Sequence, residues 1–127
     1  MSSSTDRPSP GRRKINQGRK YENLAAEFYQ QQGFQILERN WHSGHKELDI
    51  IVRRENLVVF VEVKSTFSKE FGHPAGWIDR KKARNLVEAA NRYVIDNDIT
   101  DSDLRFDVVT FVNGKLEHFP DAFTADS

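Results

Sequence analysis

Leu57-Val58-Val59-Phe60-Val61-Glu62-Val63-Lys64 is apolar and mostly β-branched until it meets a carboxylate and then a lysine. Leu57 to Val63 has the composition of a central strand covered on both faces. A charge inside such a strand is costly unless a partner or a metal compensates it, so Glu62 is the most informative residue of the chain. Lys64 lies two residues on and projects from the same face, roughly 6.6 Å away. Just upstream, Glu47 to Arg53 predicts another strand, in which Glu47 and Asp49 share a face, and Glu55-Asn56 forms a tight turn. A hairpin of these two strands brings Glu47 and Asp49 beside Glu62, so three carboxylates and one lysine are expected to converge. Metal-dependent phosphodiester hydrolysis needs such a group. Asp49 and Glu62 are the expected ligands of Mg²⁺ (or Mn²⁺), with Lys64 orienting the nucleophile or stabilising the pentavalent state. A cross-strand salt bridge of Lys64 with Asp49 or Glu47 is the bland alternative. Asp79-Arg80-Lys81 also fits an acid-x-lysine pattern, but capping at a helix start explains Asp79 sufficiently.

Outward from this pair, Tyr21, Leu24, Ala25, Phe28 and Gln32 fall at helical spacing from about Asn16, with Gly33 as a C-terminal stop. Phe34 to Asn40 predicts a strand. Residues 65–77, with Gly72, Pro74 and Gly76, predict a loop leading to a helix over Asp79–Asp96, with Ala83, Leu86, Val87, Ala90, Tyr93 and Val94 on its apolar face. Phe106–Val112, Asn113-Gly114 and Lys115–Phe119 predict a closing hairpin. The expected fold is α/β, a mixed sheet flanked by helices in the order α-β-β-β-α-β-β.

A chain of 127 residues has room for one domain. Its 37% hydrophobic and 30% charged residues, 19 Lys+Arg against 19 Asp+Glu, describe a neutral and polar protein. The charge is segregated. Arg7, Arg12, Arg13, Lys14, Arg19 and Lys20 face Asp6 alone in residues 1–20, whereas residues 96–127 hold eight acids against Arg105 and Lys115. Residues 1–15 read as a disordered basic tail, 16–120 as a single domain and 121–127 as a C-terminal tail. The absence of cysteine excludes disulfides and zinc-thiolate sites. With no apolar run of membrane-span length and no secretory signal, a cytoplasmic location without membrane contact is expected.

Gly18-Arg19-Lys20-Tyr21-Glu22, Arg39-Asn40-Trp41, Glu47-Leu48-Asp49, Val59 to Lys64, Phe71-Gly72-His73-Pro74 and Arg105-Phe106-Asp107 together resemble the YraN family. That bacterial family is placed in the restriction-endonuclease-like superfamily, alongside archaeal Holliday-junction resolvases. The resemblance spans Asn16 to Val112 and implies a restriction-endonuclease-like, PD-(D/E)xK-type core. It implies that Asp49 is the metal-binding aspartate, that Glu62 and Lys64 are the (D/E)xK pair, and that Glu22 is a carboxylate lent by the first helix. Glu47 matches the glutamate of a Gly-Glu-Ile-Asp signature. Three positions depart from the pattern: Lys46 replaces a glycine, Phe67 stands where an arginine often follows, and Ala83 occupies a position that is often glutamine.

Arg80, Lys81, Lys82 and Arg84 begin one helix, and Arg12, Arg13, Lys14, Arg19 and Lys20 precede the apolar stripe of the other. Either group suits phosphate contact, and a solvated helix face explains them as well. His42 and His45 have a metal-pair spacing but no further ligands nearby, so a surface turn is expected. Trp41 and Trp77 are candidates for base stacking or for packing, while Arg105 and Asp107 suggest a structural ion pair near the sheet. The leading reading is an Mg²⁺-dependent endonuclease on branched DNA, resolvase-like, with no small-molecule cofactor. The competing readings are a non-catalytic nucleic-acid-binding or protein-interaction module on the same fold, and an adaptor whose charged rim is only structural. Paired cuts across a junction leave a homodimer open.

Overall fold

Helix α1 (Pro10–Gln31) turns Ala25, Ala26 and Tyr29 inward, with Tyr21 and Phe28 packed alongside. Leu24, expected on that face, is exposed, as is Gln32, because the buried stripe runs through Tyr21, Ala25 and Tyr29. The helix stops where expected: Gly33 takes φ +88° and the Phe34 N–H returns to the Tyr29 carbonyl. Its start is earlier than the periodicity predicts, so residues 10–15, read as tail from composition, are helical. Extending a helix already anchored from Tyr21 onward costs little per residue, which composition alone does not register. The computed structural model describes residues 10–66 and 78–124, with side chains over 19–65 and 78–124. The expected tail over 1–9, most of the expected 65–77 loop, Phe67, His73 and Trp77 lie outside them.

Strands β1 (Gln35–Ser43), β2 (Lys46–Arg54), β3 (Leu57–Thr66), β4 (Asp103–Val112) and β5 (Lys115–Phe123) form one sheet in sequence order. Only β3 and β4 run parallel, and helix α2 (Arg80–Asp96) lies between them in the chain. This is the predicted α-β-β-β-α-β-β arrangement of a mixed sheet with two helices. Asp79 caps α2 as expected, its carboxylate accepting the Lys82 N–H at 2.7 Å.

The sheet divides the core in two. Under α1 lie Ile50, Val52, Val59, Val61, Val109 and Phe111, and under α2 lie Leu48, Ile51, Val58, Phe60 and Phe106 with Leu86, Ala90 and Tyr93. Trp41 belongs to this packing, edge-on to Tyr93 at 5.4 Å. Strand β1 includes His42 and Ser43, so the turn expected over residues 42–45 shrinks to Gly44-His45.

Strand β5 runs past the predicted stop at Phe119. The ladder with β4 pairs Val108 with Phe119 and then Phe106 with Phe123, so three residues of β5 bulge opposite Asp107. Asp121, within the expected C-terminal tail, adopts φ +54°, and its N–H is bound by Asp107 at 3.0 Å. Phe123 then stacks on Phe106 at 4.9 Å.

Asp107 itself is 0% exposed. Arg105 grips it with two hydrogen bonds of 2.8 and 2.9 Å, Tyr29 donates its hydroxyl at 2.7 Å, and His118 Nε2 lies at 2.9 Å. Burial pushes the carboxyl up, but bonds from His118, Arg105, the Asp121 N–H and Tyr29 outweigh it and hold the acid at about 2. The Arg105–Asp107 ion pair expected near the sheet is the centre of a network joining α1, β4 and β5.

Because the folded value lies below the ordinary 3.8, this carboxylate stabilises the fold above pH 4, and that stability is lost as pH falls toward about 2. Asp107→Asn should lower unfolding free energy by about 3 kcal/mol at pH 7, through the unpaired Arg105. Urea titrations of both proteins should show that gap narrowing below pH 4; a gap independent of pH contradicts the assignment.

Candidate metal centre

The β2–β3 ladder ends at Ile50 and Val61, and Asp49 stands just beyond its last rung. Leu48 and Ile51 share the core under α2, whereas Ile50 and Val52 share the core under α1, so strict alternation breaks at Asp49-Ile50. The break frees the Val63 N–H from the ladder, and Asp49 Oδ2 accepts it at 2.9 Å. The carboxyl of Asp49 is thus fixed by the backbone of the strand that carries Glu62.

Glu62 is 5% exposed. Its carboxyl adjoins that of Asp49, close enough for each charge to act on the other. Burial first, then the charge of Glu62, push Asp49 up to about 8; the Val63 N–H opposes the rise, and the charge of Glu22 adds to it.

Two lysines answer Glu62. Lys64 Nζ lies 3.5 Å from Oε2, and Lys82 Nζ, from the first turn of α2, lies 3.2 Å from the same oxygen. The sequence groups Lys82 with Arg80, Lys81 and Arg84 on a face suited to phosphate contact. Those three are exposed, while Lys82 is half-buried and turned to the acid pair. A signal for this exists in the sequence: Lys82, Leu86, Ala89 and Tyr93 continue one stripe at helical spacing once Asp79 sets the phase. Arg19 and Lys20 are exposed on α1.

The remaining acids stand apart. Glu22 pairs with Arg39 at 3.8 Å, acting on Asp49 through its charge, and Glu47 faces His42 at 3.3 Å. Among the described residues no three His, Cys, Asp or Glu side chains group to hold a metal ion, so the expected convergence of three carboxylates reduces to Asp49 and Glu62. Glu47 misses the pair because the alternation breaks between it and Ile50, leaving it on the rim beside β1. Its rim borders a groove of about 540 Å³ between the β1–β2 turn and α2, lined also by His45, Lys46, Asn85 and Lys82. Lys46 is bonded to Glu88 of α2 at 2.8 Å.

Two adjoining carboxyls, one pushed up by burial and then by its neighbour's charge, match the donor chemistry of a hard dication, which takes one or two carboxylates and completes its shell with water. Asp49 and Glu62 are the residues that would hold Mg²⁺ or Mn²⁺.

Residues 21–111 match the uncharacterised protein family UPF0102. The chain is 44% identical over 106 residues to a UPF0102 protein of Flavobacterium psychrophilum, covering 80% of this chain and 88% of the relative. Against a UPF0102 protein of Persephonella marina it is 38% identical over 109 residues, 86% of this chain and 94% of the relative. A third, from Chloroherpeton thalassium, is 41% identical over 95 residues, 75% of this chain and 74% of the relative.

With a folded value near 8 above an ordinary 3.8, protonated Asp49 contributes stability that is complete below pH 4 and is lost as pH rises through 8. Asp49→Asn retains an acceptor for Val63 and removes the repulsion. In EDTA its melting temperature should exceed that of wild type by about 3–6 °C at pH 8.5, with a smaller gain at pH 5. Equal melting temperatures at pH 8.5 would contradict the assignment.

Proposed function

The chain belongs to the uncharacterised protein family UPF0102, the YraN family, and from that footing we propose that it is a divalent-metal-dependent endonuclease acting on DNA, with branched structures as its substrate class. The observation that carries this reading is the Asp49–Glu62 pair, two adjoining carboxyls at the end of a ladder, one fixed by the Val63 N–H and the other contacted by a lysine of its own strand. Acids perturbed in this way cluster at functional sites, which supports reading the pair as a site beyond the salt bridges that Glu62 makes.

A bound Mg²⁺ or Mn²⁺ would polarise the scissile phosphodiester and lower the pKa of the attacking water. Asp49, fixed by the Val63 N–H, and Glu62, carried by β3, are the residues that would hold that ion. Lys64 Nζ stands on the same side of the strand, placed to stabilise the extra negative charge of a pentavalent phosphate. Glu22 and Glu47, each paired with a neighbouring cation or imidazole, shape the field at its margins. Arg19, Lys20, Arg80, Lys81 and Arg84 are exposed donors for backbone phosphates flanking the cut. Cutting both strands of a junction takes two such sites, so the proposal includes a homodimer on such substrates.

A second reading has its own support. With both acids ionised, Lys64 and Lys82 already match their charge, which also suits a nucleic-acid-binding module without turnover. Cleavage of a four-way junction, a flap, single-stranded and linear duplex DNA in Mg²⁺ or Mn²⁺ at low salt separates the two. Wild type should cut at least one substrate, and Glu62→Ala should cut it about 100-fold more slowly or not at all. Binding without cutting transfers the assignment to the module; neither binding nor cutting removes both.

A further inference from the structure

Lys82 and Lys64 meet at one oxygen of a nearly buried carboxylate, but they come from different elements and have different freedom. Lys64 Nζ returns to Glu62 from two residues along the same strand. Lys82 reaches across from α2 and is the closer, at 3.2 Å against 3.5 Å. Its backbone is anchored by the Asp79 cap, and its side chain is 42% exposed along the wall of the groove between α2 and the β1–β2 turn.

We propose that Lys82 is the resident counter-ion of the Asp49–Glu62 pair, the cation that a divalent metal must displace, so that metal entry and withdrawal of Lys82 into the groove are one exchange. The inference rests on reading that pair as a metal site. Two lysines already match the charge of both acids when these are ionised, as ligands must be. Adding a dication leaves two surplus positive charges gathered at a carboxylate that is only 5% exposed, where like charges repel. One ammonium has to leave. Lys64 is not among the groove-lining residues, whereas Lys82 is, and its four-carbon stem can turn there without moving α2. The groove offers it an alternative anion, the exposed carboxylate of Glu47, and water.

Such an exchange compensates Glu62 in the metal-free protein, where a lone buried carboxylate would be destabilising. It also weakens metal binding, because each ion that enters must first break the Lys82–Glu62 contact. Lys82 therefore sets metal affinity without being a ligand.

Mn²⁺ binding, followed by loss of the free-ion electron paramagnetic resonance signal, reads this directly and needs no catalysis. Lys82→Met should bind Mn²⁺ roughly tenfold more tightly than wild type. Lys82→Arg, which restores the cation, should bind within about twofold of wild type. Glu62→Gln should lose the site. The full-length wild type supplies a second readout, since acylation of the Lys82 amine by a mild reagent, mapped by mass spectrometry, should accelerate when Mn²⁺ saturates the site. Equal or weaker Mn²⁺ binding by Lys82→Met, or an acylation rate indifferent to Mn²⁺, overturns the exchange while leaving the metal site in place. No saturable Mn²⁺ binding in either wild type or Lys82→Met overturns both this inference and the reading on which it rests.

Discussion

Asp49 and Glu62 are pressed together where β2 and β3 stop pairing, and the surrounding structure supplies what that meeting demands. The last rung, Ile50 with Val61, frees the Val63 N–H, and Asp49 takes it up. Glu62 is then left with a protonated neighbour on one side and needs cations on the other. Lys64 follows from strand periodicity alone. Lys82 follows from topology: β3 and β4 are parallel neighbours, a parallel pair requires a crossover, and the crossover here contains the helix whose first turn overhangs the acid pair.

The chain contains a second buried carboxylate, and the contrast shows what sets the first apart. Asp107 is fully enclosed, yet an arginine, a tyrosine, a histidine and a backbone N–H satisfy it, so its proton is held off to about 2. Asp49 receives one backbone N–H and faces another acid, so its proton is retained to about 8. Equivalent burial would give both the same sign of shift; the number of donors decides otherwise. Asp107 uses its charge to join α1, β4 and the β5 bulge. The Asp49–Glu62 pair instead leaves Asp49 with a single donor, while Lys64 and Lys82 answer the charge of Glu62.

Much of this was legible in the sequence because it depends on local chemistry. The order of elements, the Gly33 stop, the Asp79 cap and the Asn113-Gly114 turn, both with positive φ, are written in neighbouring residues. So was the Glu62–Lys64 pair, a charged doublet in an apolar strand. What escaped depends on groups distant in the chain. Glu47 and Glu22 carry the residue types of a metal shell, but His42 and Arg39 of β1 sit beside them. Strand β5 passes Pro120 because Asp107 stabilises a bulge that its own segment does not announce. Lys82 reads as one of four basic residues at a helix start, and only the helix phase against the sheet distinguishes it.

Two departures from the YraN pattern bear on that phase. Lys46, where a glycine is usual, is tied to Glu88, fastening the start of β2 to the middle of α2. Ala83, where a glutamine is frequent, is buried and apolar, so that position brings no polar group toward the carboxyls. The α2 group that does reach them is the neighbouring Lys82. A glutamine amide near the pair leaves its charge unchanged, whereas an ammonium there cancels part of it. The electrostatics at this end of the sheet therefore depend on which residue of the first turn of α2 meets Glu62, and in this chain it is a cation on a flexible stem.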